Sequence, residues 1–154
     1  MAKVNWEELL EPVHPGESDL KEYLRRAGYK VKDVSDNCAY FGKDIDLIVF
    51  CMDGAPSTLE VKWDYRLADT GNLYIELENP RSERGLGWFS FCEADFLFYG
   101  DANNKLFYIF NRKELFDFIE TYKKEWRRSG TYDGSKGLLV PLSEVKQFYR
   151  VIEL

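Results

Sequence analysis

The stretch Ile45-Asp46-Leu47-Ile48-Val49-Phe50-Cys51-Met52-Asp53-Gly54-Ala55-Pro56-Ser57-Thr58-Leu59-Glu60-Val61-Lys62-Trp63 decides the fold. Ile45 to Met52 and Ser57 to Trp63 are β-rich runs, and Asp53-Gly54-Ala55-Pro56 between them is a hairpin signal. If the chain reverses at Asp53, Asp46 stands opposite Glu60. Opposed residues of an antiparallel pair share one face, with Cβ atoms ~5 Å apart. Lys62, two positions beyond Glu60, shares that face at ~7 Å along the strand. Ile45, Leu47, Val49, Leu59 and Val61 are then expected on the other face. A slip of one residue would turn Asp46 away.

Two carboxylates brought together repel unless they are protonated or bridged by a cation. Hard oxygen ligands of this kind suit Mg²⁺ or Mn²⁺. An ammonium beside them can position a water molecule or stabilise charge on a phosphate. The competing reading is a hairpin face lined with ordinary surface charges. With 31% charged residues a Glu-x-Lys triplet arises easily, and Glu144-Val145-Lys146 repeats it. That copy follows Pro141, and Leu142, Val145, Phe148 and Tyr149 recur at helical spacing, so a helix face without a catalytic role is expected there.

Outward from the hairpin, Glu17 to Ala27 reads as a helix with Leu20, Tyr23, Leu24 and Ala27 on one stripe and Gly28 just past its end. Tyr29 to Lys32 alternates like a strand, and Val34 to Asn37 like its turn. Leu73 to Glu78 is a strand with one wet face, Asn79 to Gly87 a loop, and Asp95–Tyr99 and Leu106–Phe110 two further strands. Asn111-Arg112-Lys113-Glu114 starts a helix expected to reach about Arg128, with Leu115, Phe118, Ile119 and Tyr122 as its buried stripe. Gly130 to Gly137 reads as loop, Leu138–Val140 as a strand, Ser143–Phe148 as a turn of helix and Arg150–Glu153 as a last strand. The sum is a single mixed α/β domain over residues 1–154.

Hydrophobic residues make up 45% of the chain, enough for a packed core and too many for wholesale disorder. No run of 18 apolar residues suggests a membrane span. The N-terminus turns acidic at once, unlike a signal peptide. Three cysteines without C-x-x-C spacing argue against zinc and against a disulfide scaffold, so a cytoplasmic setting is expected. A net charge of −6 counts against a protein that coats duplex DNA through counterion release. It suits an enzyme whose bound cations offset local charge.

With these residues in place, the chain resembles the PD-(D/E)XK, or restriction-endonuclease-like, nuclease superfamily. A helix bearing an acid, a strand, a strand with Asp46 and a strand with Glu60-Val61-Lys62 match its αβββαβ core. Glu17 to Tyr29 is similar to the first helix of archaeal Holliday-junction resolvases, in which a Glu eleven residues before the Gly joins the site. Glu17 holds that place here, with Asp19 and Glu22 as rivals. Thr70-Gly71-Asn72-Leu73-Tyr74-Ile75-Glu76 with Glu93-Ala94-Asp95-Phe96 looks like a group of small phage-encoded members, which would place the protein in the host cytoplasm. Ile45 stands where the motif often has Pro, so Asp44 is a second candidate for the motif acid. The Gln often found on the helix after the strand has no counterpart.

The resemblance implies hydrolysis of DNA phosphodiester bonds by Mg²⁺-activated water, on branched, single-stranded or duplex substrates. It implies Asp46, Glu60 and the Val61 carbonyl as ligands of Mg²⁺ or Mn²⁺, Lys62 as the group acting on the water, and Glu17 as an acid reaching in from the first helix. It also allows a homodimer with two sites. Glu76 is a candidate extra acid, which a solvated strand face explains equally well. Arg81 and Arg84 are candidates for contact with the nucleic-acid backbone. Lys123, Lys124, Arg127 and Arg128 around Trp126 are expected to complement a helix C-terminus. His14, the sole histidine, is expected in an exposed loop. The alternative is a nuclease-like fold that binds or regulates a partner without cleaving.

Overall fold

A computed structural model describes residues 15–154 except Glu83 and Tyr132. His14 and the acidic N-terminal segment lie outside the described residues. Helix α1, Pro15–Arg26, opens with proline, whose missing N–H has no helical partner to lose at that position. It closes at Gly28, where φ is 95°. That left-handed turn lets the Gly28 and Tyr29 N–H groups each reach a carbonyl of the last turn at 3.0 Å, those of Arg25 and Leu24.

The chain continues through β1 (Lys30–Asp33), α2 (Cys38–Phe41), β2 (Leu47–Phe50), β3 (Pro56–Asp64), α3 (Leu67–Thr70) and β4 (Asn72–Glu78). It goes on through α4 (Trp88–Phe91), β5 (Phe96–Asp101), β6 (Leu106–Asn111) and α5 (Arg112–Tyr122). A 3₁₀ turn (Lys123–Glu125), β7 (Arg128–Gly130), β8 (Lys136–Pro141), a 3₁₀ segment (Leu142–Phe148) and β9 (Tyr149–Glu153) complete it. Six strands form one mixed sheet in the order β1-β2-β3-β5-β6-β9, and three form a second in the order β4-β8-β7. Of the described pairs only β3 and β5 run parallel. The fold is mixed α/β, as the sequence indicates.

The large sheet has a core on each face. On one, α1 places Leu20 and Leu24 against Leu47, Val49, Leu59, Phe98 and Phe107. On the other, Ile48, Leu97 and Phe110 pack with Leu73, Ile75, Leu138 and Val140 of the second sheet and with Leu115 and Ile119 of α5. The Tyr99 hydroxyl ties the layers together. It donates to Asp64 Oδ2 at 2.6 Å and accepts the Tyr74 N–H at 2.9 Å.

Several expectations need correction. Leu73–Glu78 does pair as a strand, but with β8 in a separate sheet. The long helix stops at Tyr122, because Arg127 to Gly130 is drawn into pairing with β8 and the Arg127 carbonyl accepts the Leu139 N–H at 2.9 Å. Phe116 rather than Phe118 completes its buried stripe, and Tyr122 is 41% exposed. The basic run is therefore split: Lys123 stands at the C-cap of α5 and Lys124 just past it, whereas Arg127 and Arg128 belong to the extended segment. Lys123 pairs with Glu120, and the Trp126 ring packs on Phe118 with centroids 5.8 Å apart. Ile45 packs in the Ile48 core rather than beside Leu47, since it precedes the start of β2. Glu144-Val145-Lys146 lies in the second 3₁₀ segment with Val145 buried, so that copy is structural.

One packing detail positions the functional side of α1. A Cβ on Gly16 would stand 2.2 Å from the Trp63 ring, and a Cβ on Gly100 of β5 would also stand 2.2 Å from it. The bare Cα of Gly16 lets the first turn of α1 lie against Trp63, and Glu17 is the next residue. Gly16→Ala is expected to cost about 1–3 kcal/mol by overpacking. Gly42→Ala, at an open position with ordinary φ, is expected to stay within ~0.5 kcal/mol. Urea midpoints of the two variants check the difference.

Candidate functional site

The β2–β3 register pairs Leu47 with Leu59 and Phe50 with Pro56. The ladder stops there. The Asp46 carbonyl accepts the N–H of Val34, just past β1, at 2.8 Å, while the Asp46 N–H turns the other way and donates to the Leu59 carbonyl at 2.9 Å. Asp46 and Leu47 both face Leu59, and the chain leaves regular register. Asp46 and Glu60 thus come to the same end of the hairpin, but not as the directly opposed pair that the sequence leads one to expect. The ladder ends at Leu47, so the next β3 residue facing that edge, Val61, has no strand partner. The Asp46 carboxylate takes its place: Oδ2 accepts the Val61 N–H at 2.9 Å. A strand residue directs its N–H and C=O to the same side, so the Val61 carbonyl faces the same edge.

Glu60 and Lys62 point from β3 into the layer below the second sheet, and Glu60 is only 2% exposed. The Lys62 ammonium pairs with Glu60 Oε1 and with Asp44 Oδ2, the latter at 3.3 Å, and it lies 5.0 Å from the centroid of the Trp88 ring. Asp44 itself has a left-handed φ of 53°, a conformation that Asp tolerates better than most residues. Its carbonyl accepts the Cys92 Sγ–H at 3.7 Å. Glu17 approaches from the α1 side and is buried, whereas its rivals Asp19 and Glu22 are exposed and Glu22 pairs with Arg26. The structure thus selects Glu17 as the α1 acid turned toward the sheet.

The electrostatics follow from crowding. Burial, reinforced by the Asp46 and Asp33 charges and only partly offset by Lys21, pushes Glu17 up from 4.5 to about 7. Burial also raises Asp46, against the pull of the Val61 N–H and Lys62. Glu60 is raised well above the carboxylate range by burial, with Lys62 pulling the other way. Burial disfavours the Lys62 ammonium, but Glu60 and Asp44 outweigh it and hold the group above its ordinary value. Cys92 is pushed to about 12, chiefly by burial, so its thiol stays protonated.

Glu60 Oε2 is buried and has no hydrogen-bond partner among the described residues. An orphan of this kind is rare in a folded protein and calls for an explanation. Among the described residues no group of three or more His, Cys, Asp or Glu is drawn in closely enough to hold a metal ion. Lys62 is instead the counter-cation that Glu60 and Asp44 share. The donor set still fits a hard divalent cation in kind: Asp46, Glu60, Glu17 and the Val61 carbonyl offer only oxygen, and Glu60 brings an unused one.

The remaining candidates lie further out. Glu76 has Asn79 as its polar partner, at 3.3 Å, rather than any member of the cluster. Arg81 and Arg84 are exposed on the loop between β4 and α4. That loop is internally tied, with the Ser82 hydroxyl donating to the Leu86 carbonyl at 2.7 Å, and it ends in Trp88 at the cluster. A surface cavity of about 600 Å³, lined by Leu77, Phe89, Phe116 and Asp117 among others, includes none of the cluster residues. Sequence reading missed Asp33, Trp88 and Cys92. Asp33 lies one residue past the alternating run, and nothing local in Gly87-Trp88 marks a ring destined for Lys62. All three cysteines are free. Among the described residues no helix is long and apolar enough to cross a membrane.

No protein-family model matches the chain, and no curated protein matches it in sequence.

The raised Glu17 gives a pH prediction. A carboxyl whose folded value lies above its unfolded one contributes stability below about 4.5, and that contribution is lost as pH rises through about 7. In divalent-free buffer Glu17→Gln is therefore expected to be more stable than the parent at pH 8, by up to about 3 kcal/mol. The two stability curves should converge near pH 4.5. Chemical denaturation across pH 4.5–8 checks it.

Proposed function

We propose that this protein is a Mg²⁺- or Mn²⁺-dependent nuclease of the restriction-endonuclease-like type, hydrolysing phosphodiester bonds of DNA. The observation that carries this reading is that Asp46 and the Glu60–Lys62 pair lie at one edge of β3, with Glu17 of α1 near enough to feel the Asp46 charge and a buried carboxylate oxygen of Glu60 left unpartnered. The order α1-β1-β2-β3 with these acids in these places supports the same superfamily core.

In this reading Asp46, Glu60 and the Val61 carbonyl hold the cation, and Glu17 closes the set from α1. When bound, the cation supplies Lewis acidity toward the scissile phosphate and offsets the negative charge of the site. Asp46 is oriented by its bond to the Val61 N–H, which leaves Oδ1 for other work. Lys62, held as an ammonium by Glu60 and Asp44, donates rather than accepts. It orients a water molecule or steadies charge on a phosphate oxygen, and a different group takes the proton. Arg81 and Arg84, exposed on the loop that leads to Trp88, would in this reading meet the phosphate backbone of a substrate that the overall charge of −6 would otherwise repel.

A second reading, a non-cleaving binding module, is favoured by one observation: Lys62 already neutralises Glu60 and Asp44 without any ion. Calorimetry with Mn²⁺ separates the two, because a module of that kind takes up no metal that Asp46→Asn or Glu60→Gln abolishes.

Purified protein is expected to cleave at least one of branched, single-stranded or duplex DNA in Mg²⁺ or Mn²⁺, and to be silenced by EDTA. Glu60→Gln and Lys62→Ala should each lower the rate by roughly 10²–10³-fold, while Lys146→Ala leaves it within about twofold. Full cleavage by the Lys62→Ala protein, or none on DNA or RNA by the parent, would refute the reading.

A further inference from the structure

We propose that Asp44 and Trp88 form a cradle that keeps the Lys62 ammonium in place when a divalent cation takes over Glu60. The inference rests on the metal-dependent reading above and assigns to two residues a positioning role within it.

The reasoning starts from charge. In this structure Lys62 has two carboxyl partners, Glu60 and Asp44, and one aromatic face, that of Trp88. A cation bound by Glu60 consumes the first partner and repels the ammonium, since both are positive. Lys62 is 26% exposed along its side chain, so a path to solvent is open. Without other attachments it would swing outward and leave the site. Asp44 and the Trp88 ring are the attachments that remain. An ammonium over an indole face is attracted by the ring quadrupole, and that attraction does not compete for a metal.

The backbone shows that both partners are held by the same element. Trp88 opens α4, and the glycine before it is seated on β4: the Gly87 N–H donates to the Leu77 carbonyl at 2.9 Å, and a Cβ on Gly87 would stand 2.3 Å from the Glu76 carbonyl oxygen. The residues leaving α4 clamp Asp44. Cys92 Sγ–H donates to the Asp44 carbonyl, and the Glu93 N–H donates to the Lys43 carbonyl at 2.8 Å. That clamp holds Asp44 at its left-handed φ of 53°. The buried, protonated Cys92 thereby acquires a role as a donor that fixes the Asp44 backbone. Trp88 also leans on Phe116 of α5, with ring centroids 5.8 Å apart, so the aromatic wall is braced from behind.

The test uses the full chain labelled with ¹⁵N-lysine. A held ammonium exchanges its protons slowly enough to give a ¹H–¹⁵N signal, and the Trp88 ring should move the Lys62 signal upfield. In the parent this signal is expected to persist at saturating Mg²⁺. Trp88→Leu should lose the upfield shift, and Trp88→Phe should keep part of it. Asp44→Asn should show the signal without Mg²⁺ and lose it when Mg²⁺ is added. Mg²⁺ affinity of Asp44→Asn, by calorimetry, should stay within about threefold, while kcat falls by about 10–100-fold at unchanged KM for DNA. Urea midpoints verify that each variant is folded. Loss of the parent's Lys62 signal on Mg²⁺ binding overturns the cradle alone. A drop in Mg²⁺ affinity of more than about 30-fold in Asp44→Asn makes Asp44 a ligand and also overturns it. No Mg²⁺ uptake by the parent overturns the metal reading and the cradle with it.

Discussion

Everything at the candidate site depends on a strand that stops short. β2 ends its ladder at Leu47, and the backbone N–H of Val61 on β3 is left facing an edge with no strand to pair with. A buried, unpaired N–H is costly, so some acceptor must fill the place. Asp46 does so with its side chain at 2.9 Å. One hydrogen bond then does two jobs. It satisfies the backbone of β3, and it fixes a carboxylate at the edge of the sheet, where acids on both faces can approach it. Glu17 arrives from the helical side and Glu60 from the side of the second sheet. Had β2 run two pairs further, to Ile45 opposite Val61, that N–H would belong to the ladder and the Asp46 side chain would not be needed there.

The crowding that results is paid in protonation. Glu17, Asp46 and Glu60 are all raised, first by burial and then by neighbouring charges: Asp46 and Asp33 on Glu17, Asp44 on Asp46, and Asp44 and Asp46 on Glu60. Lys62 relieves part of this, but it sits on one side only and leaves Glu60 Oε2 without a partner. Such a site is destabilising for the fold, and the two packed cores around it must supply the compensation. This is the usual character of sites that act on other molecules: local strain and unmet charge are tolerated where something else is meant to complete them.

Much of this was legible in the residues. The hairpin register follows from the Asp53-Gly54 turn and the alternation around it, and it holds from Phe50–Pro56 to Leu47–Leu59; the departure at Asp46 has no local signal. The first helix and its terminating Gly28 were equally plain, because Leu20, Leu24 and the glycine act locally. What escaped was decided at long range. The β4–β8 sheet forms between residues as far apart in the chain as Asn72 and Pro141, and no local pattern tells a strand which sheet it will join. α5 was read too long because Lys123 to Trp126 is helix-compatible by itself, whereas pairing with β8 pulls the chain straight from Arg127 onward. Nothing beside Trp88 in the chain marks it as a partner of Lys62, because that contact exists only once β3 and α4 are packed together. The choice of Glu17 over Asp19 and Glu22 needed the direction in which α1 faces, which Gly16 and Trp63 set.

The parallel pairing of β3 with β5 has a consequence for how such a molecule can diversify. Parallel neighbours cannot be joined by a tight turn and need a long crossover. Here that excursion runs from Tyr65 to Asp95 and contains α3, β4, the arginine-bearing loop and α4. The residues that fix Asp46 and Glu60 lie before it in the chain, and their register is set before the excursion begins. Insertions or substitutions between Asn79 and Gly87 can therefore remodel what the protein meets at its surface while the acid pair stays in place, so long as Trp88 returns to its seat. If the proposed function holds, surface contact and the acid pair are coded in separable segments of one polypeptide, and the two can drift at different rates.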